Sequence, residues 1–544
     1  MIKKRIGYFI IPAVLIIGIA VSCSNPTSLL TVITKAVAES SPPKLIPAEI
    51  RFTDEDGDNG EISGSLSFDG VEGEYGISEY HLYWGERADQ KLSGFSDPAA
   101  VFEAGSGSYS HTFPADFTLP AGATHFLLYS VNDSGESKDY RVLDIPDLSC
   151  ELLVDIVPGA TGSYPGSFIG YEDDIYFSAT DGNDDGTANP PNGNELWSYN
   201  GSTAQLEWDI VPDVSGFNGS GSPGHFTIFR DKIYFIARKD ASGRGLFSLN
   251  PKTTGFYRHE AYPLYANYNT IQASDAYRIA ELDDTLYISA FESTYEHELY
   301  YFPIWHGFGY HGERFTNNTQ PWNLYGYIFF AELGGKLYFK ADGDSAGSEL
   351  WSCSGPTAGE VERAADINPG ASGSHIQWTV TYRDKLYFQA EGSNADSELW
   401  SFDGSTAVEA ADLSTRLGGS GPTKLSVCYD KLYFHAYDDV SDRFLWEYDE
   451  TGPPTAVHTN DFRSYDNTTA AGLFGNIYFA ASPTTDMGNV ELYGYDGEDV
   501  FLVKDINPGS TGSYPEETYV YDNVLYFRAD DGVHGEEIWT LRIE

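Results

Sequence analysis

The chain has 544 residues, with 81 acidic against 32 basic side chains, a formal charge of −49, and 15% aromatics. The aromatics exclude a disordered acidic tail, and the charge argues against nucleic acid as a partner. With 56 Gly, 27 Pro, 39 Tyr and 32 Phe, the composition excludes coiled coil, collagen and a polytopic membrane protein, and predicts an all-β chain of short strands and tight turns.

Lys3, Lys4 and Arg5 precede an apolar run from Tyr8 to Val21, which ends in small residues before Cys23. This is the layout of a secretory signal, short for a membrane span. Ala20, Val21, Ser22 and Cys23 resemble a bacterial lipobox, departing from it at Ala20, where Leu is usual. The resemblance implies a signal peptide over 1–22, lipidation of Cys23, and an exported lipoprotein anchored to the outer membrane or cell surface. Cleavage after Ala38, giving a soluble secreted protein, is the alternative. Removing 1–22 leaves 29 basic against 81 acidic side chains, a formal charge of −52. Residues 23–47, rich in Ser, Thr, Ala and Pro, read as a flexible spacer. Cys150, Cys353 and Cys428 are odd in number and widely scattered, so neither a disulfide framework nor a zinc site is expected.

From 48 to 148, EISGSLSF, ISEYHLYWG and THFLLYSVN alternate apolar and polar residues between Gly, Asp and Asn clusters, the pattern of antiparallel strands. FLLYSVN running into DSGES resembles a fibronectin type III or immunoglobulin-like module, which implies a β-sandwich. Within it Asp54, Asp56 and Asp58 alternate around glycines and invite a Ca²⁺ reading. The loop departs from an EF-hand at Gly60, one place late, and at Ser65, which stands where a bidentate Glu would close the site.

Self-similarity organises residues 149–544. A strand centred on Tyr recurs as DDIYFSA, DKIYFIA, DTLYISA, GKLYFKA, DKLYFQA, DKLYFHA, GNIYFAA and NVLYFRA, with Tyr at 176, 234, 287, 338, 387, 433, 478 and 526. Each is followed by a second strand containing ELW or a relative, usually at a fixed offset of 12, which predicts a fixed hairpin. Turns such as DGS at 403–405 and DINPG at 366–370 and 505–509 separate two further strands. Four strands per unit of 45 to 58 residues is the arithmetic of a propeller blade.

The ELW, DGS and DINPG elements resemble the bacterial ELWxxDGT repeat, which implies an exported, propeller-like array and carries no shared catalytic residues. The array opens with the lone strand ELLVDI at 151–156 and ends with EEIWTLRIE. These two are expected to pair, completing the last blade of an eight-bladed β-propeller and removing its exposed sheet edges.

Loops between the second and third strands, and between the fourth strand and the next unit, should share one face of the ring. That face gathers Asp342, Asp344, Glu349 and their counterparts, an acidic rim that could hold Ca²⁺ or simply cap turns. An acidic channel would disfavour polyanionic substrates. Trp305, His306 and Tyr310 in the irregular third unit are candidates for contacting a glycan or protein ligand. No Ser/His/Asp, Cys/His, HExxH or P-loop signature stands out. The expectation is a monomeric, non-enzymatic adhesion or envelope-surface protein. A polysaccharide-acting hydrolase or lyase working in the channel is the alternative.

Overall fold

The computed structural model describes residues 41–543, apart from 75, 106, 183–192, 212–219, 241–242, 254–258, 263–274, 293–295, 303–312, 315–328, 343–346, 356–360, 416, 440–442, 458–461 and 466–467. Every regular element among the described residues is a strand, and no helix there is long and apolar enough to cross a membrane. Contacts divide the chain into two compact units. One is Met1–Phe52, Ser65–Phe113 and Leu119–Ile145; the other is Thr53–Gly64, Pro114–Thr118 and Pro146–Glu544.

The first unit is built on strands with period-two burial. In Glu79–Arg87 and His125–Asn132, which pair antiparallel, Tyr80, Leu82, Phe126 and Leu128 face inward. Its core is aromatic: Phe68 meets Tyr80 edge-on at 5.3 Å, and Phe113 stacks on Phe126 at 5.7 Å. Such pairs add about 1 kcal/mol each beyond the area they bury.

Among the described residues the second unit holds eight sheets: six have four strands in simple sequence order, the seventh has an extra short strand, and the eighth takes its fourth strand from Leu148–Val154. The Tyr strand is the second strand of every sheet and the ELW-type strand the third. Two-residue hairpins join the first strand to the second, and in seven of the eight both turn residues lie in the left-handed region, as at Arg230 and Asp231, Asp283 and Asp284, and Arg383 and Asp384. These are type I′ geometries, whose twist matches that of the paired strands. They explain why Asp, Asn or Gly stands just ahead of most Tyr strands.

A four-stranded sheet cannot cover both its own faces, and each of these is covered by its neighbours. Ile169, Tyr176 and Leu196 of the first sheet pack with Ile233, Phe235 and Phe247 of the second. Tyr433 and Leu445 of the sixth pack with Ile477 and Phe479 of the seventh. The same arrangement joins the last sheet to the first, where Ile538, Tyr519 and Tyr526 meet Phe168 and Phe177. The order of sheets is therefore cyclic. Fully burying one such side chain contributes about 2 kcal/mol.

The chain ends of this unit close one sheet. Leu148–Val154 pairs antiparallel with Glu536–Ile543, with Leu152 opposite Trp539 and Glu151 opposite Thr540. Among the described residues, first strands of neighbouring sheets touch one another at seven of the eight junctions, the third to the fourth excepted, so they form the inner wall.

Candidate functional site on the inner ring

The acidic residue of the ELW motif is structural. Glu195, Glu349, Glu398, Glu491 and Glu537 are all buried. Each turns its carboxylate onto the loop that leaves its own sheet, or for Glu537 the loop after Leu148–Val154. Glu195 accepts the amides of Ile210 and Gly221, both at 2.7 Å. Glu349 accepts those of Ile367 at 2.8 Å and Asn368 at 3.3 Å. Glu491 accepts the amides of Ile506 at 3.1 Å and Ser513 at 3.0 Å, with the Ser513 hydroxyl in close contact. Burial pushes the carboxyls up, Glu195 to about 8 and Glu491 to about 7, against the pull of the amides they accept. The ELW and DINPG elements are thus two halves of one clamp, and Glu349 is spent on it rather than offered to a cation. Asp342, just after the strand Lys336–Ala341, is half-buried.

The acidic loop after Phe52 is likewise occupied. Asp54 accepts the amides of Asp56 at 3.1 Å, Ser63 at 3.0 Å and Leu148 at 2.9 Å, and its burial raises its carboxyl to about 8. Asp58 is ion-paired with Lys504. The loop is stitched into the second unit by the Gly57 amide on Val503 O, at 2.8 Å, and the Cys150 amide on Gly57 O, at 2.7 Å. Asp56, Glu61 and Asp116 each bring one carboxylate oxygen within 4.8 Å of the others. Of the three aspartates singled out in the sequence, only Asp56 belongs to that group. Cys23, Asp344, Trp305, His306 and Tyr310 lie outside the described residues.

A different constellation lies on the inner wall. In the first strands, one residue partners the repeat Tyr, as in Ile169 with Tyr176 and Val380 with Tyr387. Two places earlier stand, in ring order, Ser167, His225, Arg278, Phe329, Trp378, Lys424, Thr469 and Glu517. Five of these sit in the left-handed region: Ser167 (φ 53°), His225 (55°), Trp378 (54°), Lys424 (54°) and Glu517 (56°). At each the pairing with the second strand shifts, as between Gly166 and Ile169 or Gln377 and Val380. The repeat thus places a bulge at one level of the ring. Left-handed backbone costs a non-glycine residue about 1–2 kcal/mol, and bulges re-aim side chains next to functional sites.

The ring residues touch their neighbours. The Ser167 amide donates to Glu517 Oε2 at 3.2 Å. Arg278 Nη1 donates to the His225 imidazole, and Lys424 Nζ stands 5.4 Å from the centre of the Trp378 ring. Loss of hydration, with the Arg278 and Arg244 guanidiniums close by, pushes His225 down to about 3, so its imidazole is neutral and can accept from Arg278. Three aromatics stay open to solvent at this end: Trp378, 36% exposed, and Tyr164 and Tyr514, 43% and 44% exposed. Tyr164 and Tyr514 stand three residues ahead of Ser167 and Glu517 and are also left-handed.

Further along the inner wall, Cys428 and Tyr429, Ala470 and Gly472, and Thr518 and Val520 from three successive sheets line a cavity of about 390 Å³. Burial raises the Cys428 thiol, which leaves it a packing group.

Among the described residues at this level, the ring carries Arg278 and Lys424 against one carboxylate, Glu517, and the clamp glutamates point into their loops. Sequence reasoning missed the ring because its eight residues share no chemistry; only their constant distance from the partner of the repeat Tyr could have marked them.

No family model and no curated protein matches the chain. Among solved structures, it is similar to the β-propeller domain of the Trilobed protease from Pyrococcus furiosus, described as having an open velcro topology. The TM-score is 0.38 at 12% identity, over 64% of this chain and 99% of that one. It is also similar to a puromycin-hydrolysing peptidase of Mycobacterium tuberculosis, with TM-score 0.37 and 10% identity, over 56% of this chain and 50% of that one. A Trypanosoma rangeli sialidase gives TM-score 0.27 and 14% identity, over 52% and 57%. The chain thus spans about half the length of the peptidase and the sialidase. Against these hydrolases, the expectation of a non-enzymatic adhesion or envelope-surface protein is withdrawn. Likeness this distant transfers neither residues nor substrates.

Proposed function

We propose that the protein is an exported hydrolase acting on a glycan, with its site on the inner ring of an eight-bladed β-propeller. In this reading the eight sheets are the blades of an ELWxxDGT-type array. The first unit is a sandwich of the fibronectin type III or immunoglobulin kind, and Cys23 carries the lipid anchor. One observation carries the assignment of the site: five non-glycine residues of unlike chemistry held in left-handed backbone at the same level of the inner wall. Trp378, 36% exposed, and the half-buried Lys424 are held in strained backbone on the open inner wall, where strained residues mark binding surfaces.

The parts suit a sugar chain. Trp378, Tyr164 and Tyr514 offer exposed aromatic faces, and Ser167, His225 and Thr469 offer polar groups that orient hydroxyls. Glycoside hydrolysis needs two carboxyl groups, one to donate a proton to the leaving oxygen and one to activate water or attack. Glu517 is the carboxylate of the ring. Glu281 and Glu332, exposed three places further along their first strands, stand on the same wall. The test is release of reducing ends from a glycan panel. Glu517→Gln should retain binding and lose about 100-fold or more in turnover, the usual scale of a lost general acid or base. Unchanged turnover in this variant, or none by the wild-type protein across the panel, would overturn the reading.

A further inference from the structure

We propose that the glycan is acidic, bearing carboxylate or sulfate groups that dock at two cationic corners on opposite sides of the ring. This rests on the ring being the glycan site and specifies what it takes. One corner lies where the second sheet meets the third. There Arg278 donates to the His225 imidazole, and Arg244 sits behind, its Nη2 donating to Ser222 O at 3.0 Å. The other corner lies on the sixth sheet. There Lys424 stands over Trp378, and Arg443 sits behind with Nη2 donating to Gly421 O at 2.9 Å and to Thr423 Oγ1 at 3.0 Å.

The two corners are built alike. Arg244 and Arg443 occupy the same place in their sheets, two residues before the central Leu of the third strand, Leu246 and Leu445. The corresponding places elsewhere hold Asn194, His297, Ser348, Ser397, Val490 and Glu536, so the guanidinium is not a requirement of the repeat. In a cyclic order of eight, Arg278, on the third sheet, stands three sheets from Lys424, while the second and sixth sheets, which carry Arg244 and Arg443, face each other across the axis. Glu517, on the eighth sheet, stands two sheets from each. A chain lying across the ring could therefore rest a charged group at each corner, with the Glu517 carboxylate beside its middle.

The charge balance makes this placement informative. Acidic side chains outnumber basic ones 81 to 32, so the long-range field of the protein repels anions. Cationic groups concentrated at one level of the inner wall oppose that field locally, within a Debye length of about 8 Å at physiological salt. Arginine suits the task because its planar fork matches both carboxylate and sulfate oxygens.

Binding is measured by calorimetry on the full chain with two matched pairs: oligogalacturonate against its carboxyl-reduced counterpart, and dextran sulfate against dextran. The expected result is at least tenfold tighter binding of the acidic member in one pair, and which pair shows it identifies the anion. Arg278→Gln and Lys424→Gln should each weaken that binding at least fivefold. Equal or tighter binding of the neutral members, or no binding of any of the four, overturns the proposal. The wild-type preference stands alone should a variant fail to fold. Reducing-end release is followed in parallel. Acid-selective binding without release leaves this inference standing and removes the hydrolase, whereas release confined to neutral glycans does the reverse.

Discussion

The carboxylate of Glu537 accepts a hydrogen bond from the hydroxyl of Ser163 at 2.5 Å, across 374 residues of chain. It also accepts the Val157 amide at 3.1 Å. One buried side chain near the C-terminal end therefore organises the first loop of the ring; Glu398 and Glu491 likewise hold a loop amide and a Ser hydroxyl, while Glu195 holds two loop amides.

Removing this clamp should be costly. Glu537→Ala leaves a buried amide and a hydroxyl without their acceptor, at about 1–3 kcal/mol each. Glu537→Gln keeps an acceptor oxygen in place and should lose less than half as much. Urea midpoints of the two variants check this; equal midpoints would show that the carboxylate does not hold the loop.

Stability should fall as pH rises from 5.5 to 8.5. Glu195 and Glu491 are raised from an ordinary 4.5 to about 8 and about 7, and Asp54 from 3.8 to about 8. The folded chain therefore keeps protons that the unfolded chain has released. The stability tied to them is complete below the unfolded values near 4 and is lost as pH climbs through 7 to 8. Melting temperatures across this range provide the measurement. Glu195→Gln and Glu491→Gln should each flatten the profile, which separates the clamps from the general repulsion of a chain of charge −49.

Trp378→Gly should change stability by no more than about 1 kcal/mol, because glycine relieves the left-handed backbone and offsets the loss of a side chain that is 36% exposed. Glycan affinity should fall at least tenfold in the same protein. A loss of about 3–5 kcal/mol, the scale for deleting a packed tryptophan, would instead make Trp378 a structural residue.

A chain ending at Gly535 loses Glu536–Ile543 and with it the partner of Leu148–Val154. Two strand edges are then exposed and the cluster around Leu525, Phe527 and Leu541 is opened. Light scattering should find this protein aggregated, since unpaired edges recruit other chains. A monodisperse, cooperatively melting product would show that closure through the chain ends is dispensable.

Much of the fold could be read from local pattern. Period-two alternation marks strands such as Val524–Asp530, and Asp, Asn or Gly ahead of the Tyr strand marks a type I′ hairpin, because both follow from the geometry of a few adjacent residues. The match of ELLVDI to a fourth strand and of EEIWTLRIE to a third pointed to their pairing for the same reason.

The roles of the polar residues were decided by the tertiary structure. Nothing local distinguishes a glutamate that binds a cation from Glu349, whose acceptors are filled by amides 18 and 19 residues away. The loop at Asp54 shows the same limit, since one of its bonds reaches Leu148. The inner ring was least legible. Ser167, His225, Trp378, Lys424 and Glu517 have no common propensity, and their left-handed backbone is imposed by a bulge that each first strand makes as it crosses the wall. The sequence by itself therefore determined the repeat and its hairpins, which short-range sterics encode. Only the closing of the sheets into a cycle brought five dissimilar side chains, scattered over 350 residues, to one level around a common axis.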